Sequence, residues 1–219
     1  MLEKPRLSTA ALAALIPDGS SILVGGFLGV GAPNRMIDAL IAAGRRNLIL
    51  ITNDTARPDI GVGRLIGAKA VKKLYASHIG TNPITQAQVL SGELEVELVP
   101  QGTLIERIRS AGFGLGGVLT KTGLGTLVAE TKRILQIDGE DWLLDTPIGA
   151  DFALVNAARA DLAGNLCYHY TADNFNSMMA MAGRRVIVEA DEIVAIGLLH
   201  PDNIKTPGTV VDFLMEDSK

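Results

Sequence analysis

The chain has 219 residues, with Lys+Arg 20 against Asp+Glu 24, a formal net charge of −4 and 47% apolar residues. Nucleic-acid binding draws on a basic patch that displaces counterions and on aromatic rings that stack on bases. With an acidic pI near 5.4 and aromatics at 4%, neither is on offer, and no nucleic acid is expected as a partner.

A chain of this length buries a full core without metal or disulfide staples. Its one cysteine, Cys167, excludes an intrachain disulfide and fits a reducing compartment. Lys4 and Arg6 precede an apolar stretch at 7–16 that resembles the core of a signal peptide. Ser8 and Thr9 interrupt it, however, and Ser8 suits a helix cap. Leu12, Leu15 and Ile16 recur at helical spacing before the turn Pro17-Asp18-Gly19. The stretch is read as a helix. No segment approaches the ~18–20 uninterrupted apolar residues of a membrane span, so a cytoplasmic protein with no membrane partner is expected.

Residues 21–27 then read as a buried strand ending in glycines. Pro33 suits the first helical position, Met36, Ile37, Leu40 and Ile41 make one apolar face, and Gly44 closes that helix. Further strands are predicted at 47–52, 71–79 and 94–99. Asn82-Pro83 opens a short helix through Val89 and Leu90, and a helix at 103–111 turns Leu104, Ile105 and Ile108 inward. Beyond these, 134–137 and 142–144 flank the turn-prone pair Asp138-Gly139 as a β-hairpin. Strands at 153–156, 166–170 and 185–189 and a helix at 175–182 complete the chain, with Cys167 as a packed, inert thiol. Continuous apolar strands alternating with helices predict an α/β fold: a mainly parallel central sheet covered by helices on both faces. No repeat, low-complexity tract or linker divides the chain, so one domain over 1–219 is expected.

Several common catalytic patterns are missing. His78, His169 and His200 lack metal-ligand spacing and read as surface or satisfied histidines, so no metal is expected. There is neither a G-x-S-x-G elbow nor a P-loop. Gly112-Phe113-Gly114-Leu115-Gly116-Gly117 fits the dinucleotide fingerprint by letter, but it follows a predicted helix, and no convincing helix comes after it. That fingerprint requires strand, glycine turn, then helix; a mobile loop is the better reading. Glu106, with Arg109 three residues on, reads as one half of a surface ion pair.

Asp18-Gly19-Ser20-Ser21-Ile22-Leu23-Val24-Gly25-Gly26-Phe27-Leu28-Gly29-Val30-Gly31-Ala32-Pro33 supplies the context the other glycine run lacks. A strand leads into four glycines in seven residues and a helix that starts at a proline. Such a loop holds an anion or a polarised carbonyl oxygen on its backbone N–H groups, or it is simply a tight strand-to-helix turn.

The same stretch matches at every position a signature that begins with Asp or Asn and Gly, and continues through three apolar residues and Gly-Gly-Phe to Gly-x-Pro. On it, the chain resembles the alpha subunit of the acetate/acetoacetate, butyrate–acetoacetate and 3-oxoacid coenzyme A transferase family. Asn53-Asp54-Thr55-Ala56, Ser77-His78-Ile79-Gly80-Thr81-Asn82-Pro83, Pro100-Gln101-Gly102-Thr103, Ala150-Asp151-Phe152 and Gly164-Asn165-Leu166 extend the resemblance over nearly the whole chain.

The resemblance implies that a glutamate carboxylate attacks an acyl-CoA, forming an anhydride and then an enzyme–CoA thioester, with coenzyme A as co-substrate. That glutamate lies in a Ser-Glu-Asn-Gly motif of the beta-type half, which is absent here. The implied partner is therefore a beta-type subunit carrying the nucleophile, in an expected α2β2 assembly. The acyl-CoA and short-chain acids such as acetate, butyrate or acetoacetate would be the substrates. By the same match Gly25, Gly26, Phe27, Leu28, Gly29, Val30 and Gly31 would line the CoA-binding loop. Gln101, at the end of the fourth strand, would support the thioester carbonyl, with Asn53 in a similar part or simply bracing a turn. Two rivals stand beside this reading: a sugar-phosphate isomerase on a related scaffold, and a non-catalytic module that binds CoA or a partner.

Overall fold

The computed structural model describes residues 3–216. Ser8 caps α1 (Thr9–Leu15) by accepting from the Ala11 amide at 3.2 Å. Four strands then follow in order, each linked to the next by a crossover: β2 (Ser21–Val24), β3 (Leu48–Thr52), β4 (Val71–Ala76) and β5 (Glu95–Leu98). They pair in parallel as one half of a large sheet. The chain then returns to the other side of β2, where β9 (Ala150–Asp161) pairs with it and β11 (Gly183–Val194) pairs with β9, both in parallel. β12 (Phe213–Met215) and β1 (Arg6–Leu7) finish that side, and β10 (Leu166–Cys167) adds antiparallel to β9. Cys167 is half-buried there.

The two faces are set by the period of two along each strand. Ile22, Val24 and Leu50 pack on one side with Leu12 and Ile16 at α1, Met36, Ile37 and Leu40 of α2 (Asn34–Ala42), and Leu65 and Ile66 of α3 (Val62–Gly67). Leu23, Ile51, Val155 and Val188 pack on the other side with Leu104 and Ile108 of α5 (Gln101–Gly112) and Phe175 and Met179 of α6 (Asp173–Ala182). α4 (Pro83–Leu90) lies beside α3. The result is the three-layer α/β arrangement with a mainly parallel sheet that the sequence predicts. Among the described residues, no helix is long and apolar enough to cross a membrane.

Several boundaries differ from the sequence reading. The strand expected over 21–27 stops at Val24, because Gly26 takes φ +112° and turns the chain out of the sheet. The strand expected at 71–79 ends at Ala76, and the one at 166–170 ends at Cys167, ahead of a 3-10 turn over Tyr170–Ala172. The short strands expected at 153–156 and 185–189 are the centres of twelve-residue strands. Their outer parts carry Arg159 and Glu192, which sit opposite one another and pair at 2.7 Å. α5 begins two residues earlier than expected, so Gln101 opens a helix and does not end a strand.

The predicted hairpin is present: β7 (Arg133–Ile137) and β8 (Glu140–Asp145) join through Asp138 and Gly139, both at positive φ. They form a separate small antiparallel sheet with β6 (Val118–Thr120). The glycine run at 112–117 thus connects the end of a helix to a strand, which is the wrong order for a dinucleotide site.

Helix α2 carries a cap that sequence reading did not find. Pro33 precedes the helix and offers no side-chain bond, but Glu189 of β11 reaches across to accept from the Arg35 and Met36 amides at 3.2 and 3.0 Å. Burial pushes the Glu189 carboxyl above the usual glutamate range, against the two amides and Arg35, which favour its charge. A carboxyl raised on folding binds more protons in the native state than in the unfolded chain, so its contribution to stability falls as pH rises. Over the window between the ordinary glutamate value and the raised one, the stability of the native chain relative to Glu189→Gln should therefore rise as pH is lowered. Denaturant titrations at several pH values check this, and a difference that does not change with pH would contradict it.

Candidate active site

The parallel strands β2, β3 and β4 end on the same side of the sheet, where ligands of open α/β folds bind. The glycine loop follows β2 and is closed on itself by two 2.9 Å bonds, Phe27 amide to Val30 carbonyl and the reverse. Most of its glycines face protein. A Cβ on Gly25 would lie 1.9 Å from Asn176 Oδ1, one on Gly31 would lie 2.4 Å from the Ala172 Cβ, and one on Gly29 would lie 2.1 Å from Ile60. Asn176, fully buried on α6, donates to the Gly31 carbonyl at 3.1 Å and to the Ala172 carbonyl at 2.8 Å. The loop is thereby seated against α6, in the crevice where the strand order reverses between β2 and β9.

A cavity of about 430 Å³ opens beside that loop. Phe27 and Leu28 form one wall, and Asn53 and Asp54 come from the end of β3. Ser77, His78 and Thr81 follow β4, and Gln101 approaches from the first turn of α5. Of the residues singled out in the sequence, Phe27, Leu28, Asn53 and Gln101 are thus brought together around one space. Gly25, Gly26, Gly29, Val30 and Gly31 do not line it; they shape and seat the loop that does. Gln101 donates from Nε2 to Asn53 Oδ1 at 2.9 Å. Asn53 donates from Nδ2 to Asp54 Oδ2 at 2.9 Å, and the Leu28 amide donates to the same oxygen at 2.9 Å. Ser77 Oγ donates to the Asn53 carbonyl at 2.7 Å. A carboxamide nitrogen carries two hydrogens, so Gln101 has one left beyond its bond to Asn53.

Sequence reading passed over Asp54, Ser77, His78 and Thr81 as site residues, although all follow strands of the parallel sheet. His78 is exposed, as expected of a surface histidine, yet it borders the cavity. His169 and His200 are exposed elsewhere. Glu106 pairs with Arg109 on the outer side of α5 at Nε–Oε2 2.8 Å, as the spacing implied. The helix is braced nearer the core by Arg107, which bonds Glu97 at 2.7 Å and the Thr146 carbonyl at 2.8 Å. Among the described residues, no cluster of three or more His, Cys, Asp or Glu could hold a metal ion.

The family profile described as coenzyme A transferase matches residues 7–217, nearly the whole chain. The chain belongs to the coenzyme A transferase family. It is 54% identical over 198 residues to the acetate CoA-transferase subunit alpha of Escherichia coli strain K12, covering 90% of each chain. To the acetoacetyl-CoA:acetate/butyrate CoA transferase alpha subunit of Clostridium acetobutylicum it is 48% identical over 206 residues, covering 94% of each. The fold matches the crystal structure of an acyl-CoA transferase apoenzyme from Escherichia coli O157:H7 with a TM-score of 0.85 at 23% identity. That match covers 98% of this chain and 47% of the other, so this chain spans about half of that longer CoA transferase. The chain is thus an alpha-type CoA-transferase subunit, an enzyme component whose family uses coenzyme A as co-substrate.

Proposed function

We propose that this chain, with a beta-type partner, moves coenzyme A between a short-chain acyl-CoA and a free acid such as acetate, butyrate or acetoacetate, in the cytoplasm. The observation that carries the reading is the Gln101 carboxamide, held by Asn53 at the edge of the strand-end cavity with one N–H free to donate. The named substrates of the two relatives above support the choice of acids.

In the proposed reaction, a glutamate carboxylate of the partner attacks the thioester carbonyl carbon. The carbonyl oxygen gathers negative charge, Gln101 donates to it, and the C–S bond breaks to release CoA thiolate. The thiolate then attacks the glutamyl carbonyl of the anhydride, expelling the first acid as its carboxylate and leaving a glutamyl–CoA thioester. An incoming acid carboxylate reverses both steps to give the new acyl-CoA. The loop from Gly25 to Gly31 sets the wall formed by Phe27 and Leu28, against which the acyl-CoA would lie. An α2β2 assembly is the expected form, since symmetric oligomers are the common solution.

The test is thioester exchange between acetyl-CoA and labelled butyrate or acetoacetate, with this chain alone, the partner alone and the two mixed. Exchange only in the mixture is the expected result. Exchange by this chain alone would place the nucleophile here. A complex that forms but never exchanges label would favour a binding module.

A further inference from the structure

The hydrogen bonds around the cavity have a direction, and Asp54 sets it. A carboxylate oxygen only accepts, whereas a carboxamide has one accepting and one donating end. Asp54 Oδ1 accepts from the Ala56 amide at 2.7 Å, and Oδ2 accepts from both the Leu28 amide and Asn53 Nδ2. Facing an acceptor, Asn53 must turn its NH2 group to Asp54 and its Oδ1 the other way. That Oδ1 then accepts from Gln101 Nε2 at 2.9 Å, while Ser77 Oγ, which donates to the Asn53 carbonyl, stands 3.2 Å from it. Gln101 is in turn obliged to present nitrogen, and so has a second N–H to offer.

Were Asn53 free to flip, its NH2 would meet Gln101, whose oxygen would turn in to accept it. The amide end would then no longer be fixed for donation into the cavity. Asn53 and Asp54 are 1% and 5% exposed, so water is kept from the bond between them, the link that orients Asn53. The same carboxylate also holds Leu28, a non-glycine residue at φ +48°, and thus ties the loop wall to the amide pair.

We infer that Asp54 is a positioning residue for the transfer reaction: through Asn53 it fixes which end of the Gln101 carboxamide faces the substrate, and through the Leu28 amide it locks the cavity wall to the same anchor. The inference rests on the reading of Gln101 as the donor to the thioester oxygen.

A double-mutant cycle on the assembled two-subunit enzyme tests it. Asp54→Ser keeps an oxygen for the local bond to Ala56 but withdraws the acceptor from Leu28 and Asn53. It is expected to lower kcat about tenfold in the native background and less than about twofold in a Gln101→Ala background, the signature of residues acting through one network. Asp54→Asn retains an oxygen for Asn53 and is expected to restore kcat to within about threefold of the native enzyme. Equal losses from Asp54→Ser in both backgrounds would overturn the positioning role while leaving the donor role of Gln101 intact. An unchanged kcat in Gln101→Ala alone would overturn both. If Asp54→Ser does not assemble with the partner, Asn53→Ser breaks the next link, and a loss undiminished in the Gln101→Ala background would likewise overturn the relay.

Discussion

Replacing Gln101 by alanine in the assembled enzyme is expected to lower kcat by about 10²–10³-fold, the range found when one preorganised oxyanion donor is removed. Gln101 is exposed at the edge of the cavity, and among its atoms Nε2 is anchored to Asn53. Its neighbours on α5 are held independently, Leu104 and Ile108 by the core and Arg107 by Glu97 and Thr146. Truncation at the first residue of the helix should therefore leave the fold of this chain intact. A bond made more strongly to the developing oxyanion than to the ground-state carbonyl lowers kcat and kcat/KM together, with KM little changed. Steady-state kinetics on the purified complex decide the point. An unchanged kcat removes the donor role, and a raised KM at unchanged kcat would make Gln101 a binding residue only.

Gly26→Val should act on the same reaction by another route. Gly26 has φ +112°, a conformation closed to β-branched residues, and a Cβ there would stand 2.9 Å from the Val30 carbonyl oxygen. That oxygen accepts the Phe27 amide bond which closes the loop. The new side chain thus collides with the loop's own turn, at a backbone strain of about 1–3 kcal/mol. The expected outcome is a KM for acyl-CoA raised about tenfold or more, together with a lower melting temperature, because Phe27 and Leu28 lose their placement. Native KM and stability in the variant would show that the loop tolerates rearrangement and lies outside the site.

The parallel sheet was legible because its strands are apolar runs and its helices carry periodic apolar faces. Ile22, Leu23 and Val24 are all fully buried, which requires helices on both sides of β2. β1 and β12 escaped notice because two- and three-residue strands are too short for any period to register. α3 was hidden by Gly63 and Gly67, two weak helix formers in six residues. The Glu189 cap joins residues more than 150 positions apart, a pairing that no local motif encodes.

The cavity was half legible. Gln101 and Asn53 stand out as polar residues beside apolar strands, and Phe27 and Leu28 lie within the glycine signature. What the glycines make room for is not legible locally, because Asn176 and Ala172 of the distant α6 region occupy the space beside Gly25 and Gly31. Asp54 was invisible for a related reason. Its importance comes from three donors meeting one carboxylate, and one of them, Leu28, arrives from another loop.

The central claim is that this chain contributes the amide and the cavity wall while the covalent nucleophile belongs to the partner. Intact-mass spectrometry of the complex after brief treatment with acyl-CoA, with the two subunits separated before measurement, tests it directly. A mass increase matching a CoA thioester on the beta-type subunit, with this chain unmodified, is the predicted result. The adduct on this chain would contradict the claim.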